Sequence, residues 1–210
     1  MTVEARRRLA TALLALSCSM LGCAPTLERQ SAIVAAGNLD AKLASTTWIA
    51  DGEQVALIVS SKATRFRLGL AYVPIEVAVV NRGLKSLSLT RESFSLADGH
   101  GARYPLAGRK ELGEGYHASV DVDRRQFSEA APIVIGKYQS YSRVPSNFSP
   151  GFNNAIALDR VFLPRYSYLL DFLYFPTPEG YTPGAPLELQ VTAPELENPI
   201  FVRFTVVGSP

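Results

Sequence analysis

The run Val73-Pro74-Ile75-Glu76-Val77-Ala78-Val79-Val80-Asn81 has the period of a β-strand: Val73, Ile75, Val77 and Val79 share one face, opposite Glu76 and Ala78. Successive strand side chains point to opposite sides, so this two-residue alternation marks a strand with a buried face. The same period continues on either side. Upstream, Val55, Leu57 and Val59 alternate with Ala56, Ile58 and Ser60. Downstream, Asn81-Arg82-Gly83 turns into Leu84-Lys85-Ser86-Leu87-Ser88-Leu89, and Phe94 with Leu96 continue after Arg91-Glu92. Asp98-Gly99-His100-Gly101 has the composition of a hairpin turn and precedes Tyr104 and Leu106.

Further strands are expected at 155–163, 167–175, 187–191 and 200–206. In the last two, Leu187, Leu189, Val191, Ile200, Val202, Phe204 and Val206 face inward against Glu188, Gln190, Arg203 and Thr205. Seven to nine short strands without a long helix predict an all-β, antiparallel sandwich over residues 46–210. Trp48 lies before the first clear strand. Residues 126–154 read as a long irregular loop insertion, a length that in compact domains usually carries a role.

The order of these phrases resembles the telokin-like or immunoglobulin-like domain of bacterial lipoproteins. The residues that carry it are the 73–81 run, then Phe94-Ser95-Leu96-Ala97-Asp98-Gly99-His100-Gly101-Ala102-Arg103-Tyr104-Pro105-Leu106. The closing phrases are Leu187-Glu188-Leu189-Gln190-Val191 and Phe201-Val202-Arg203-Phe204. The resemblance implies an immunoglobulin-like β-sandwich, although the antibody-type cysteine pair is absent; a jelly roll is the alternative topology.

The first 23 residues have a different character. Arg6-Arg7-Arg8 precede an apolar stretch from Leu9 to Gly22, too short for a spanning helix and suited to an export signal. Met20-Leu21-Gly22-Cys23 resembles a bacterial lipobox. That resemblance implies cleavage between Gly22 and Cys23, a diacylglyceryl group on the Cys23 sulfur, and an acylated amino terminus. Two or three acyl chains, at about 0.8 kcal/mol per buried methylene, anchor a domain durably. Ordinary signal cleavage and a second candidate at Cys18 are the competing readings. Ala24, where aspartate would signal retention, points to the outer membrane if the organism is Gram-negative. Residues 1–22 are thus expected to be signal peptide, 23–45 the lipidated terminus and tether, and 46–210 the folded domain.

Composition narrows the function. The chain has 210 residues, 21 Lys+Arg and 19 Asp+Glu, and 47% hydrophobic residues. Three Arg and one Glu lie in residues 1–22, which leaves 18 basic and 18 acidic residues from Cys23 onward. The folded part has no cysteine, so its core alone must stabilise it. No dense basic stripe suggests nucleic acid as a partner. No nucleophile elbow, phosphate loop or His-Glu-x-x-His motif occurs, and the expectation is a non-enzymatic protein without cofactor or metal.

Two constellations stand out. His117, Ser119, Asp121 and Asp123 would line one face if 116–123 is a strand. That makes His117, Asp121 and Asp123 the residues of an alternative enzymatic or metal-binding reading, against the plainer one of a charged edge strand. His100 reads as a solvated turn residue. Tyr138, Tyr141, Phe148 and Phe152 lie among Ser, Asn, Gly and Pro, the composition of a binding loop. Tyr174-Phe175-Pro176-Thr177-Pro178-Glu179-Gly180-Tyr181 could add a second patch. These rings either contact an envelope protein or glycan, or anchor the loop as buried caps. The expected function is a membrane-anchored binding or structural module of the envelope, with a subunit of a secretion or envelope-assembly complex as alternative.

Overall fold

A computed structural model of the protein describes residues 46–146, 148–149 and 158–206. Gly22, Cys23, the expected signal and tether, and Phe152 lie outside the described residues.

Strands dominate. In chain order the elements are β1 (Thr47–Asp51), β2 (Val55–Ser60), α1 (Lys62–Arg65), β3 (Tyr72–Asn81), β4 (Ser86–Thr90), β5 (Phe94–Asp98) and β6 (Arg103–Pro105). They continue with α2 (Arg109–Gln126), α3 (Ala130–Lys137), β7 (Ser142–Arg143), β8 (Arg160–Pro164), β9 (Ser167–Pro176), β10 (Pro186–Val191) and β11 (Ile200–Thr205). One sheet has the order β1-β2-β3-β9-β7, a second β11-β10-β5-β6, and β4 pairs with β8. Pairing is antiparallel except between β7 and β9, where Ser142 faces Ser167 in parallel register, a departure from the all-antiparallel expectation.

The expected inward faces form the main core. Val55, Leu57, Val59, Val73, Ile75, Val77 and Val79 of the larger sheet meet Phe94, Leu96, Leu187, Leu189, Val191, Val202 and Phe204 of the smaller one. The register Leu187↔Phe204 and Leu189↔Val202 keeps each inward side chain beside another. Trp48 belongs to an additional first strand, with its ring 5.3 Å from that of Phe204.

The outer face of the five-stranded sheet is covered as well. Ala130, Val134 and Tyr138, spaced for one side of α3, pack on Ala56, Ile58, Ala78 and Val80. Leu112 and Val120 of α2, with the partly buried Tyr116 and Phe127, pack on Phe172 and Tyr174 of β9. Strand β3 is therefore buried on both faces, Glu76 included.

Two expectations are corrected here. Residues 116–123 are helical, because Tyr116, Val120 and Phe127 recur at helical spacing beyond Gly113, and the local alternation of Ala118, Val120 and Val122 is incidental. The helix breaks once, at Gly113 (φ 58°, ψ 170°), a conformation for which glycine is suited. The insertion expected to be irregular holds α3 and β7 within its described part. None of the described helices is long and apolar enough to cross a membrane.

The register defines two ends of the larger sheet. Tyr72↔Pro176 lies at one; Thr47↔Ser60, where the chain enters at Thr46, lies four residues in from it, since Ser60 also pairs with Glu76. Asp51↔Ala56 and Asn81↔Ser167 lie at the other, about 17 Å from the entry level at Glu76 along β3.

Candidate functional site

Helix α3 starts on a buried carboxylate and ends on a tyrosine. Glu76 accepts hydrogen bonds from the backbone N–H groups of Glu129 (2.7 Å) and Ala130 (2.8 Å) and from the Ser128 hydroxyl. Burial raises the Glu76 pKa, while these hydrogen bonds favour its ionised form. A carboxylate at the first turn complements the helix dipole and fixes where α3 begins. From there the helix runs to the end of the sheet away from Thr46 and delivers Lys137 and Tyr138.

At that end three tyrosine rings contact one another in series, tilted and then edge-to-face. The ring of Tyr138 lies 5.2 Å from that of Tyr141, which lies 5.5 Å from that of Tyr166 at 71°. Tyr138 is buried, Tyr141 half-buried, and Tyr166 is 49% exposed. The Arg165 guanidinium sits 4.8 Å from the centre of the Tyr166 ring. Beside them Lys137 Nζ and Arg82 Nη1 both contact Asp51, at 2.6 and 2.7 Å. The hydrogen bond to Asp51 raises the Lys137 pKa, with burial opposing. The cluster thus grades from a buried ring to an exposed one, rimmed by charge.

Tyr166 occupies an unusual backbone conformation. Its φ is 59°, in the left-handed region where glycine or asparagine is the ordinary choice. Such a placement costs about 1–2 kcal/mol for a residue with a Cβ. It is held by Tyr166 N–H donating to the Asn81 carbonyl (2.9 Å) and Ser142 N–H donating to the Tyr166 carbonyl (3.1 Å). Strain of this kind often accompanies functional positions.

The expected binding-loop residues divide. Tyr141 reaches the surface cluster and Tyr138 supports it from beneath, whereas Phe148 is fully buried in the main core, 5.4 Å from the Phe94 ring. The Phe148 ring therefore anchors its loop. The second aromatic patch is largely interior. Tyr174 is fully buried with its hydroxyl donating to Asp123 Oδ2 (3.0 Å), and burial pushes the half-buried Tyr181 up to about 12. Sequence reasoning did not single out Tyr166. Its signal is the short Pro164-Arg165-Tyr166-Ser167 link between two expected strands, with an aromatic in a turn.

The alternative constellation at 117–123 does not form one face. On a helix, at about 100° per residue, positions 117 and 121 are near neighbours, but 123 points away. Asp123 is buried and accepts from Arg67 Nε (3.0 Å) and Nη2 (2.8 Å) as well as from Tyr174. Burial raises its pKa and Arg67 opposes this. That carboxylate fastens α2 to β9 and to the segment after α1. His100 is exposed in its turn, where its N–H donates to Asp98 Oδ1. No group of three metal-ligating side chains occurs among the described residues.

A polar cleft of about 320 Å³ lies between α2, α3 and β9, and Glu76, Arg124, Ser128, Arg143 and Asp171 line it. Its carboxylates serve the fold. Glu76 caps α3, and Asp171 accepts from Arg124 Nη2 (2.8 Å) and from the backbone N–H groups of Phe148 and Phe172 (2.9 Å each).

No protein-family model and no curated protein matches the sequence. Among solved structures, a DUF4426 family protein from Pseudomonas aeruginosa is similar at 10% identity, over 79% of this chain and 98% of its own, with a TM-score of 0.32. A likeness at that level carries no argument about fold or function.

Proposed function

We propose that this chain is a non-enzymatic envelope lipoprotein: an immunoglobulin-like sandwich, backed by two helices, that is tethered through Cys23 and offers its tyrosine end to a protein partner. The observation that carries the binding role is Tyr166. A half-exposed ring in a strained turn, edge-to-face with Tyr141 and covered by Arg165, is costly for folding alone and suits recognition. Tyrosine and arginine are the residues over-represented among interface anchors, because each combines a large contact area with a polar handle.

The tether supports the same reading. The tyrosine cluster lies at the Asn81 end of the larger sheet, about 17 Å along β3 from Glu76, the level at which the chain enters beside Ser60. A domain held by its Thr46 end at a lipid surface, through residues 23–45, presents Tyr141 and Tyr166 away from that surface. A component of a secretion or envelope-assembly complex is the partner this geometry suits.

Affinity capture from detergent-solubilised membranes of the native host tests the proposal, comparing the full protein with Tyr141→Ala/Tyr166→Ala. A protein retained by the wild type and lost from the double variant is the expected result. Retention of the same proteins by both overturns the binding role of this end, and capture of a glycan alone replaces the protein partner with a carbohydrate.

A further inference from the structure

A second exposed apolar feature lies at the opposite end, beside the point where the chain enters the fold. The 61–71 connection between β2 and β3 carries Phe66, 56% exposed, and Leu70, 41% exposed. Phe66 stacks on Phe127 at the end of α2, with ring centres 4.7 Å apart and planes within 8°. The connection is also tied to the entry residue. Ser61 N–H donates to the Thr46 carbonyl (2.9 Å), and Thr46 Oγ1 donates to Glu129 (2.5 Å), which also contacts Lys62 at 3.3 Å. The two exposed side chains therefore project from the connection that begins where the tether meets the domain.

From this placement we infer that Phe66 and Leu70, backed by Phe127, form a membrane-docking ridge that inserts into the lipid interface and sets the domain upright. The inference rests on the proposed anchoring at Cys23. If residues 24–45 act as the tether read from the sequence, a random chain of that length would span roughly 25 Å on average. Confinement of that order raises the effective concentration of the ridge at the bilayer, so weak apolar insertion suffices without independent affinity. Charge is not the source of attraction. Lys62 is paired with Glu129, and Arg67 with Asp123. Docking is accordingly expected to persist at high salt, as apolar insertion does and electrostatic adsorption does not.

The ridge also explains why two large apolar side chains are left outside the core. Phe66 and Leu70 flank Gly69, whose φ of 80° lets the connection turn sharply between them. At a lipid interface an adjacent aromatic and leucine contribute through their rings and methyl groups.

The test uses the full lipidated protein, reconstituted in phosphatidylethanolamine–phosphatidylglycerol vesicles with or without brominated acyl chains. Trp48→Phe removes the single tryptophan, and Phe66→Trp, or separately Leu70→Trp, introduces a reporter in the ridge. Tyr166→Trp in the same background reports on the far end. The ridge reporters are expected to lose about half of their emission to brominated lipid at both low and high salt, and the far-end reporter none. Equal, absent quenching at both ends of protein that floats with vesicles overturns docking and leaves anchoring intact. Failure to float with vesicles overturns the anchoring itself, and docking falls with it. A ridge emission that depends on protein concentration and is indifferent to brominated lipid assigns the ridge to a second copy of this chain and also overturns docking.

Discussion

The backbone N–H of Phe148 donates to Asp171 Oδ2 at 2.9 Å, which binds the aromatic loop to the edge of β9. The same carboxylate takes Arg124 Nη2 at 2.8 Å, so one side chain joins the loop, α2 and the larger sheet. Burial raises the Asp171 pKa, and the Arg124 charge and the loop amide oppose that rise. Removal of the carboxylate takes the ion-pair partner from Arg124, whose Nη2 keeps the Ser149 carbonyl, and the side-chain acceptor from the Phe148 amide. Asp171→Ala is therefore expected to cost about 3 kcal/mol in chemical denaturation. A cost below about 1 kcal/mol would mean that the loop is held by other contacts.

Phe148 and Tyr141 belong to the same stretch of sequence yet serve different ends. Phe148→Ala empties a fully buried site beside Phe94 and should cost about 3–4 kcal/mol. Tyr141→Ala removes a half-buried ring and should cost about 1 kcal/mol, from its ring contacts with Tyr138 and Tyr166. Equilibrium unfolding of the two variants checks the contrast, and equal losses would contradict it.

Tyr166 gives a case where stability and function separate. Tyr166→Gly relieves a left-handed strain of about 1–2 kcal/mol but forfeits ring contacts worth about 1 kcal/mol. The variant should stay within about 1 kcal/mol of the wild type while losing the captured partner. Marked destabilisation would show that the ring is there for packing.

Glu129 sets a pH dependence. Burial tends to raise its pKa, but hydrogen bonds from Thr46, Ser60 and Thr47, with the Lys62 charge, hold it below the ordinary glutamate value of 4.5. A depressed folded pKa stabilises the protein above the unfolded value, and the benefit disappears as pH falls through the folded one. The side chain is 28% exposed, so the contribution is discounted to about 1 kcal/mol at pH 7. The stability difference between wild type and Glu129→Gln should be constant from pH 7 to pH 5 and then shrink below pH 4.5, measured by denaturation at each pH. A difference that grows on acidification would contradict the assignment.

Much of the strand framework is legible in sequence because its alternation is imposed by the core. Val73 to Val79 and Leu187 to Val191 face inward in the structure as their spacing predicts. The helical layer is less legible, and the reason is local. Ala118, Val120 and Val122 imitate a strand within α2, while the true repeat of Tyr116, Val120 and Phe127 needs a longer window and is cut off from Leu112 by the Gly113 break. A hint lay in β3 itself: Ala78 and Val80 make its second face apolar, and such a face needs a cover. Of the candidate site, Tyr138 and Tyr141 were identifiable by composition. Tyr166 was not, since its value comes from the β3–β9 pairing that brings the turn beside Tyr141.

The central claim is lipid anchoring through Cys23, and metabolic labelling with a palmitate analogue tests it most directly. Cells that express the full chain and its Cys23→Ala variant are fractionated after labelling. Labelled, membrane-bound wild type and an unlabelled variant released from membranes are the expected result. Equal labelling and equal membrane partitioning of the two proteins would contradict it.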